Sequence, residues 1–390
     1  MINFTYHIPT DICFGQGQLA SLGARIAELG RHVLLVYGGG SIRRTGLYDA
    51  VMAQLAQLAQ AGAEVTELGG VEPNPRITSV RKGVALCREH GVEVVLAVGG
   101  GSAIDCAKMV AAGACYDGDT WELVTDPSRI QKTLPVACVV TIAATGSEMD
   151  EFAVISDMEK NEKRGTASDK LRPVFSILDP TYTYTVSAYQ TAAGTADIMS
   201  HVFESYFNQV PGAYVQARLA EGILKTCIHY GPIALKEPEN YEARANLMWS
   251  ASLAINGLLR YGENAAWSVH AMEHELSAYY DLTHGAGLAI LTPYWMQYVL
   301  SEKTMHKFVE YGVNVWGLDP SLPEREIAET AIAKTRTFFD TLGLPTHLSD
   351  VQIDDAHFEQ MARKAAAGGL AYGFVPLQAE DVLRIFRSAL

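Results

Sequence analysis

Two stretches of this 390-residue chain run from an apolar block into the same four residues. Residues 33–37 (VLLVY) lead into Gly38-Gly39-Gly40-Ser41, and residues 92–98 (VEVVLAV) lead into Gly99-Gly100-Gly101-Ser102. A short apolar run that ends in glycine suits a strand buried on both faces, as in a parallel sheet covered by helices. Helical patterns follow each turn. One spans about 46–61, with Leu47, Val51, Leu55 and Leu58 on one face; the other opens at Ala103. Glycine lets backbone N–H groups approach a phosphate closely, and a helix N-terminus adds partial positive charge. Neither copy fits the GxGxxG fingerprint in its usual placement, so a variant nucleotide fold is expected. Ser102 and Asp105 are expected at the N-cap and N3 positions of the second helix.

The alternation continues to about residue 185. Residues 64–68 read as a strand, Pro73-Asn74-Pro75 as a rigid turn and 78–91 as a helix. Residues 134–142 form another apolar strand, which runs into Ala143-Ala144-Thr145-Gly146-Ser147-Glu148. Thr141, Thr145 and Ser147 then offer hydroxyls at a strand's carboxyl end, where open parallel sheets bind ligands. Residues 150–176 look like a hairpin whose Lys160, Lys163, Arg164 and Lys170 form a solvated basic loop. Residues 176–180 (SILDP) close this part as a strand ended by proline.

Beyond Thr185 the strand pattern stops. Helical segments are expected at about 188–209, 212–231, 239–260, 263–279, 285–300, 302–315, 324–343, 354–367 and 378–389. Pro211, Pro232, Pro238, Pro293, Pro320, Pro323 and Pro345 are expected to mark starts and ends. The fold class is therefore an α/β N-terminal domain with a parallel sheet (1–185) followed by an all-α C-terminal domain (186–390).

The helical half holds the chemistry-bearing side chains. Within 194–207 (GTADIMSHVFESYF), Asp197 and His201 stand four residues apart, so they project from one side of a helix. A carboxylate and an imidazole one turn apart can share a metal ion. His270 and His274 repeat the spacing, and His284 opens the next segment. Singly, each histidine is as well explained as a satisfied core group; the five together point to a metal site. The glycine turns fall in one half and the metal candidates in the other, which implies a cleft with cofactor on one wall and metal on the other.

Composition bounds the partners. A formal net charge of −14 argues against general nucleic-acid or anionic-membrane binding. No apolar run approaches the ~20 residues of a membrane helix, and no signal peptide is evident. Cys13, Cys87, Cys106, Cys115, Cys138 and Cys227 show no CxxC spacing, which fits reduced core thiols and a cytoplasmic protein.

Many motifs in one order resemble the iron-activated, or group III, alcohol dehydrogenases. They run from FxxHxPTxIxFG at 4–15 through YGGGS at 37–41, GGVEPNP at 69–75, LAVGGGSAID at 96–105 and ATGSE at 144–148. LDPTYTYT at 178–185, the 194–207 segment, EGIL at 221–224, the 231–249 segment and HAMEHEL at 270–276 complete the set. Within that family the chain is most similar to the branch of NADPH-dependent aldehyde reductases and butanol dehydrogenases.

The resemblance implies metal ligands at Asp197, His201, His270 and His284, with Fe²⁺ or Zn²⁺ bound. It places His274 near substrate and nicotinamide, as a proton relay. It implies cofactor contacts at Gly38, Gly39, Gly40, Ser41, Gly99, Gly100, Gly101, Ser102, Asp105, Thr141 and Thr145, with Lys163 and Tyr182 in addition; Asn74 joins this set. NAD-preferring relatives often carry an Asp after the first strand. Here the turn is small and uncharged, so NADP(H) is expected, with Arg43 and Arg44 close by in sequence. The segment after His284 (GAGLAI) is expected to shape the pocket floor. The reaction implied is hydride transfer between NADP(H) and aldehydes or primary alcohols, in a homodimer. An NAD-preferring dehydrogenase is the alternative. A dehydroquinate-synthase-like lyase would need more Lys and Arg around Asp197 and His270 than the sequence carries.

Overall fold

The structure is a computed structural model and describes residues 1–59, 64–263, 267–368 and 370–390. The expected helical residues 60–61 and 264–266, and the side chain of Leu58, lie outside the described residues. The chain divides into two compact units. One comprises His7–Val186 with Pro238–Ser252; the other comprises Met1–Tyr6, Ser187–Glu237 and Leu253–Leu390. The first six residues thus group with the helices, and 238–252 group with the α/β unit.

The α/β unit contains β1 (Asp11–Phe14), α1 (Leu22–Leu29), β2 (His32–Tyr37), α2 (Ser41–Arg44), α3 (Leu47–Ala59), β3 (Glu64–Leu68) and α4 (Ile77–Glu89). It continues with β4 (Val94–Gly99), α5 (Gly101–Ala114), α6 (Thr120–Thr125), β5 (Val136–Val140), β6 (Phe152–Asp157), β7 (Glu162–Ala167) and β8 (Phe175–Leu178). Six strands form one sheet in the order β1-β8-β5-β4-β2-β3, and every pairing in it is parallel. Leu34, Val36, Val95 and Cys138 feed the core on one face, and Val33, Leu35, Val94 and Val139 feed the other. Burial on both faces is why these strands read as unbroken apolar runs.

β6 and β7 form a separate antiparallel hairpin. Its basic loop is not a uniform solvated face. Lys163 is buried, whereas Lys160 pairs with Asp157 at 3.0 Å and Arg164 with Glu162 at 2.9 Å. The buried ammonium of Lys108 on α5 donates to Asp150 Oδ1 at 2.7 Å and to the Phe152 carbonyl at 2.7 Å, which anchors the hairpin's start. Such a charge tolerates burial only with partners.

The helical run is α7 (Ala188–Tyr206), α8 (Tyr214–Lys236), α9 (Tyr241–Ile255), α10 (Ser268–Tyr280), α11 (His284–Val299), α12 (Met305–Asn314), α13 (Glu324–Thr341), α14 (Phe358–Ala367) and α15 (Ala379–Ser388). The unit boundary falls within α9. Pro232 and Pro293 correct the expectation that prolines mark helix ends, because both lie inside helices, α8 and α11. Residues flanking each are buried on these helices, so packing outweighs the local cost of proline. Among the described residues, no helix is long and apolar enough to cross a membrane. All six cysteines are free.

Candidate metal centre and cofactor edge

α7 carries Asp197 and His201 on one face, and both are buried. His201 Nε2 and His284 Nε2 approach the same oxygen, Asp197 Oδ1, at 3.6 and 3.7 Å. The His201 and His270 rings stack at 4.9 Å, and the His270 and His284 rings meet at 5.3 Å. Asp197, His201 and His270 offer ligand atoms that lie within 4.8 Å of one another. With bonds of ~2.1 Å, tetrahedral donors stand about 3.4 Å apart, so the observed spacing fits one divalent ion.

Two carboxylates that the sequence reading missed orient the imidazoles. Glu204, one turn beyond His201, lies 3.0 Å from His270 Nδ1 and accepts its proton. Glu204 also accepts the backbone N–H groups of Ser268, Val269 and His270 at 2.7, 2.9 and 3.0 Å, so it caps α10. Glu273, one turn beyond His270, contacts Nδ1 of His284. α7 and α10 therefore each supply candidate ligands and also the partner of a histidine on another helix. A proton held on Nδ1 leaves the Nε2 lone pair for a metal. Among the described residues, buried His270 Nε2 has no hydrogen-bond partner. Burial, together with His270 and His284 nearby, holds His201 well below the usual imidazole range, so it stays neutral and able to ligate. Three imidazoles and one carboxylate suit Fe²⁺, Zn²⁺ and similar ions.

The backbone is shaped to this cluster. A Cβ on Gly285 would lie 2.0 Å from the Ala193 carbonyl oxygen, so only glycine lets α11 press against α7 beside His284. A Cβ on Gly287 would lie 2.8 Å from Glu273 Cγ. Two glycines of the GAGLAI segment thus stand where helices meet. Trp267 precedes α10 in the left-handed region (φ 49°) and sets its ring edge-on to His201 and His270, at 5.8 and 5.0 Å. Such strain in a bulky residue persists only where its surroundings enforce it. His274 is half-buried; it groups with Glu273 and His284, and its ring is 5.6 Å from that of His284.

In the α/β unit, the expected cofactor residues follow successive parallel strands. Asn74 (φ 51°) comes after β3, Gly38–Gly40 and Ser41 after β2, Gly99–Gly101 and Ser102 at the end of β4, Thr141 and Thr145 after β5, and Tyr182 after β8. Parallel strands place all of these at one edge of the sheet. Lys163, within β7, pairs in register with Ser156, whose N–H donates to the Pro75 carbonyl at 2.8 Å, next to Asn74. Burial and Asp179 push the Tyr182 hydroxyl up to about 12.

Neither Ser102, which lies inside the first turn, nor Asp105 caps α5. The N-cap is Gly100, with no side-chain cap bond, because the helix begins at Gly101. Asp105 instead accepts from Ser147 Oγ at 2.5 Å and from the Val154 N–H at 2.9 Å, tying the loop after β5 to α5. Burial pushes its carboxyl above the usual range, and these donors with Lys108 oppose that shift.

An α/β unit with an all-parallel six-stranded sheet and a helical unit with a histidine-rich cluster thus share one chain. Two family profiles cover it. "Iron-containing alcohol dehydrogenase" matches residues 9–180, and "Fe-containing alcohol dehydrogenase family, C-terminal" matches residues 191–390. The chain belongs to the iron-containing alcohol dehydrogenase family. It is 58% identical to an NADH-dependent butanol dehydrogenase A of Clostridium acetobutylicum, over 100% of both chains. It is 42% identical to the NADPH-dependent aldehyde reductase YqhD of Escherichia coli, over 95% of this chain and 94% of that one. The crystal structure of an NADH-dependent butanol dehydrogenase A from Thermotoga maritima superposes with a TM-score of 0.94 at 38% identity, covering 99% of this chain and 98% of that one. The chain is accordingly an oxidoreductase of the alcohol dehydrogenase type, and its family implies iron and a nicotinamide cofactor.

Proposed function

We propose that the chain is a metal-dependent aldehyde reductase and alcohol dehydrogenase that moves hydride between NADP(H) and aldehydes or primary alcohols. The observation that carries this reading is the cluster of Asp197, His201, His270 and His284, with two imidazoles oriented by Glu204 and Glu273. These four residues would hold a divalent ion, Fe²⁺ or Zn²⁺, which supplies Lewis-acid polarisation of a carbonyl oxygen while a nicotinamide supplies hydride. Asp197 is the one carboxylate among these four; the Glu204 and Glu273 carboxylates stand behind the imidazoles. Glu204 and Glu273 hold the protons of His270 and His284 on Nδ1 and keep both rings aimed. His274 takes and returns the proton of the reacting oxygen; it offers a ring nitrogen within 4.8 Å of a ring nitrogen of His284.

The α/β unit holds the cofactor at its glycine turns. A Cβ on Gly39 would meet nothing within 4 Å, and its backbone is not left-handed, so the fold itself does not require glycine there. Clearance for a bound group does. The neutral turn and the Ser41 hydroxyl favour a 2′-phosphate, which supports NADP(H). The Clostridium and Thermotoga relatives are described as NADH-dependent, which favours the alternative, an NAD-preferring dehydrogenase. Exposed Tyr214, Val215 and Leu219 on α8 support a homodimer, and six free thiols support a cytoplasmic setting.

The test is an aldehyde panel with NADPH and NADH, with elemental analysis of the isolated protein. Activity is expected to vanish with chelator and with His270→Ala. If His270→Ala keeps both activity and metal, the ligand assignment is wrong.

A further inference from the structure

This inference rests on the proposal that a nicotinamide cofactor binds at the carboxyl edge of the parallel sheet. From β2 the chain passes to β3 on one side and returns to β4 on the other. Ligands of open parallel sheets lie at such a reversal, outside the strand ends. Here that point lies between the turn at 38–41 and the turn at 99–102.

Arg43 and Arg44 sit beside the first of these turns and are employed differently. Arg43 Nη2 donates to the Tyr37 hydroxyl at 2.7 Å and to Glu67 Oε2 at 2.8 Å, and its guanidinium lies 3.6 Å from the centre of the Tyr48 ring. Glu67 also accepts from the Tyr37 and Tyr48 hydroxyls, each at 2.7 Å. Both oxygens of this carboxylate, near the end of β3, are therefore engaged, and its charge offsets that of Arg43. Arg44 is exposed, and its side chain makes no hydrogen bond or ion pair among the described residues. Its Nη1 lies 3.9 Å from where a Cβ on Gly40 would stand. Ser41 lies three residues earlier, on the same side of the short α2 turn, and among the described residues its hydroxyl has no partner either.

We infer that Arg44, with Ser41, is the specificity-determining group for a 2′-phosphate on the cofactor's adenosine ribose, and that Glu67 holds Arg43 out of that role. An engaged Glu67 cannot serve a free ribose 2′-hydroxyl without giving up a donor. A dianionic phosphate beside Gly39 and Gly40 meets one uncommitted guanidinium, that of Arg44.

The experiment measures kcat/KM for NADPH and NADH with one aldehyde, on the full-length protein and on Arg44→Ala, Arg43→Ala and Glu67→Gln. Calorimetry follows binding of 2′,5′-ADP and 5′-AMP to the same proteins. Arg44→Ala is expected to lower the NADPH:NADH ratio about tenfold or more, the weight of one charge-assisted contact. It should weaken 2′,5′-ADP relative to 5′-AMP by a similar factor. Arg43→Ala should move both cofactors together. An unchanged ratio in Arg44→Ala overturns the assignment, as does an equal fall in Arg43→Ala. A selective loss of NADH use in Glu67→Gln also overturns it, because Glu67 would then serve the ribose. If the wild-type protein uses neither cofactor, the functional reading fails instead, and the two adenosine fragments still report on Arg44.

Discussion

In the helical unit, His270 and His284 are each held by a carboxylate from a different helix, and Asp197 and His201 share one buried face of α7. In the α/β unit the corresponding positions are glycines, and what matters is the space they leave. The two GGGS turns show that such space has several causes. A Cβ on Gly100 would lie 2.4 Å from Ile142 Cγ2, and one on Gly101 would lie 2.4 Å from Thr145 Oγ1, so packing demands both. Gly40 is fixed by its φ of 93°, and Gly39 by neither packing nor φ. A site made of partnered side chains resists displacement. A site made of gaps is sensitive only where something else already fills the gap.

Gly285 breaks the contrast most severely, since it is a gap inside the side-chain site. Gly285→Ala would drive a methyl into the Ala193 carbonyl, a backbone atom that cannot turn aside. The expected cost is about 3 kcal/mol in urea unfolding, despite the helix propensity gained by alanine. Metal content should fall with it, because His284 is the preceding residue. Gly39→Ala should change unfolding by less than about 0.5 kcal/mol. If the two variants unfold alike, the distinction between packed and open glycines fails.

Glu204 tests whether partnered carboxylates set the metal centre. Glu204→Ala is expected to weaken metal binding about 10–100-fold in chelator competition, or roughly 1.4–2.7 kcal/mol. Glu204→Gln, which keeps an acceptor oxygen, should fall between it and wild type. The visible spectrum of Co²⁺-loaded protein should shift in the same order. Unaltered affinity and spectrum in Glu204→Ala would reduce this residue to a helix cap.

Much of this was legible in the residues, and the failures share a physical cause. The buried parallel strands and the Asp197–His201 spacing are local patterns, so sequence displays them. Glu204 and Glu273 look like ordinary helix carboxylates because their partners lie on other helices. A usable signal was present: each follows a candidate ligand histidine by three residues, on a helix with little solvent-facing surface, where a carboxylate needs a partner. The expected capping role of Asp105 failed because the helix begins one residue after an extended Gly100, which moves Asp105 past the first turn. The close helix contact at Gly285 and Gly287 was not legible in the residues after His284, because glycine and alanine suit an open pocket equally well.

Gly39 probes the open gap directly. Gly39→Asp would place a carboxylate where a 2′-phosphate is proposed to lie, with open space around its Cβ. The NADPH:NADH ratio should drop about tenfold, or roughly 1.4 kcal/mol, with unfolding close to wild type. A ratio that stays constant would place the cofactor's ribose elsewhere.

Glu263 gives the smallest effect and separates a buried carboxylate with a metal-site partner from one without. Burial pushes its carboxyl from 4.5 up to about 7, opposed by Lys307 and by a hydrogen bond with Asn208. The sign follows from proton counts. Between these two values the folded protein keeps a proton that the unfolded chain has lost, so stability falls as pH rises through that window. Glu263→Gln mimics the protonated form at every pH. It should match wild type near pH 4.5 and exceed it at pH 8 by about 1 kcal/mol, because the site relaxes as Glu263 charges. Thermal unfolding across that range measures the difference. A variant less stable than wild type at pH 8 would mean that the charged form is the one the fold holds, as a partnered carboxylate such as Glu204 would be held.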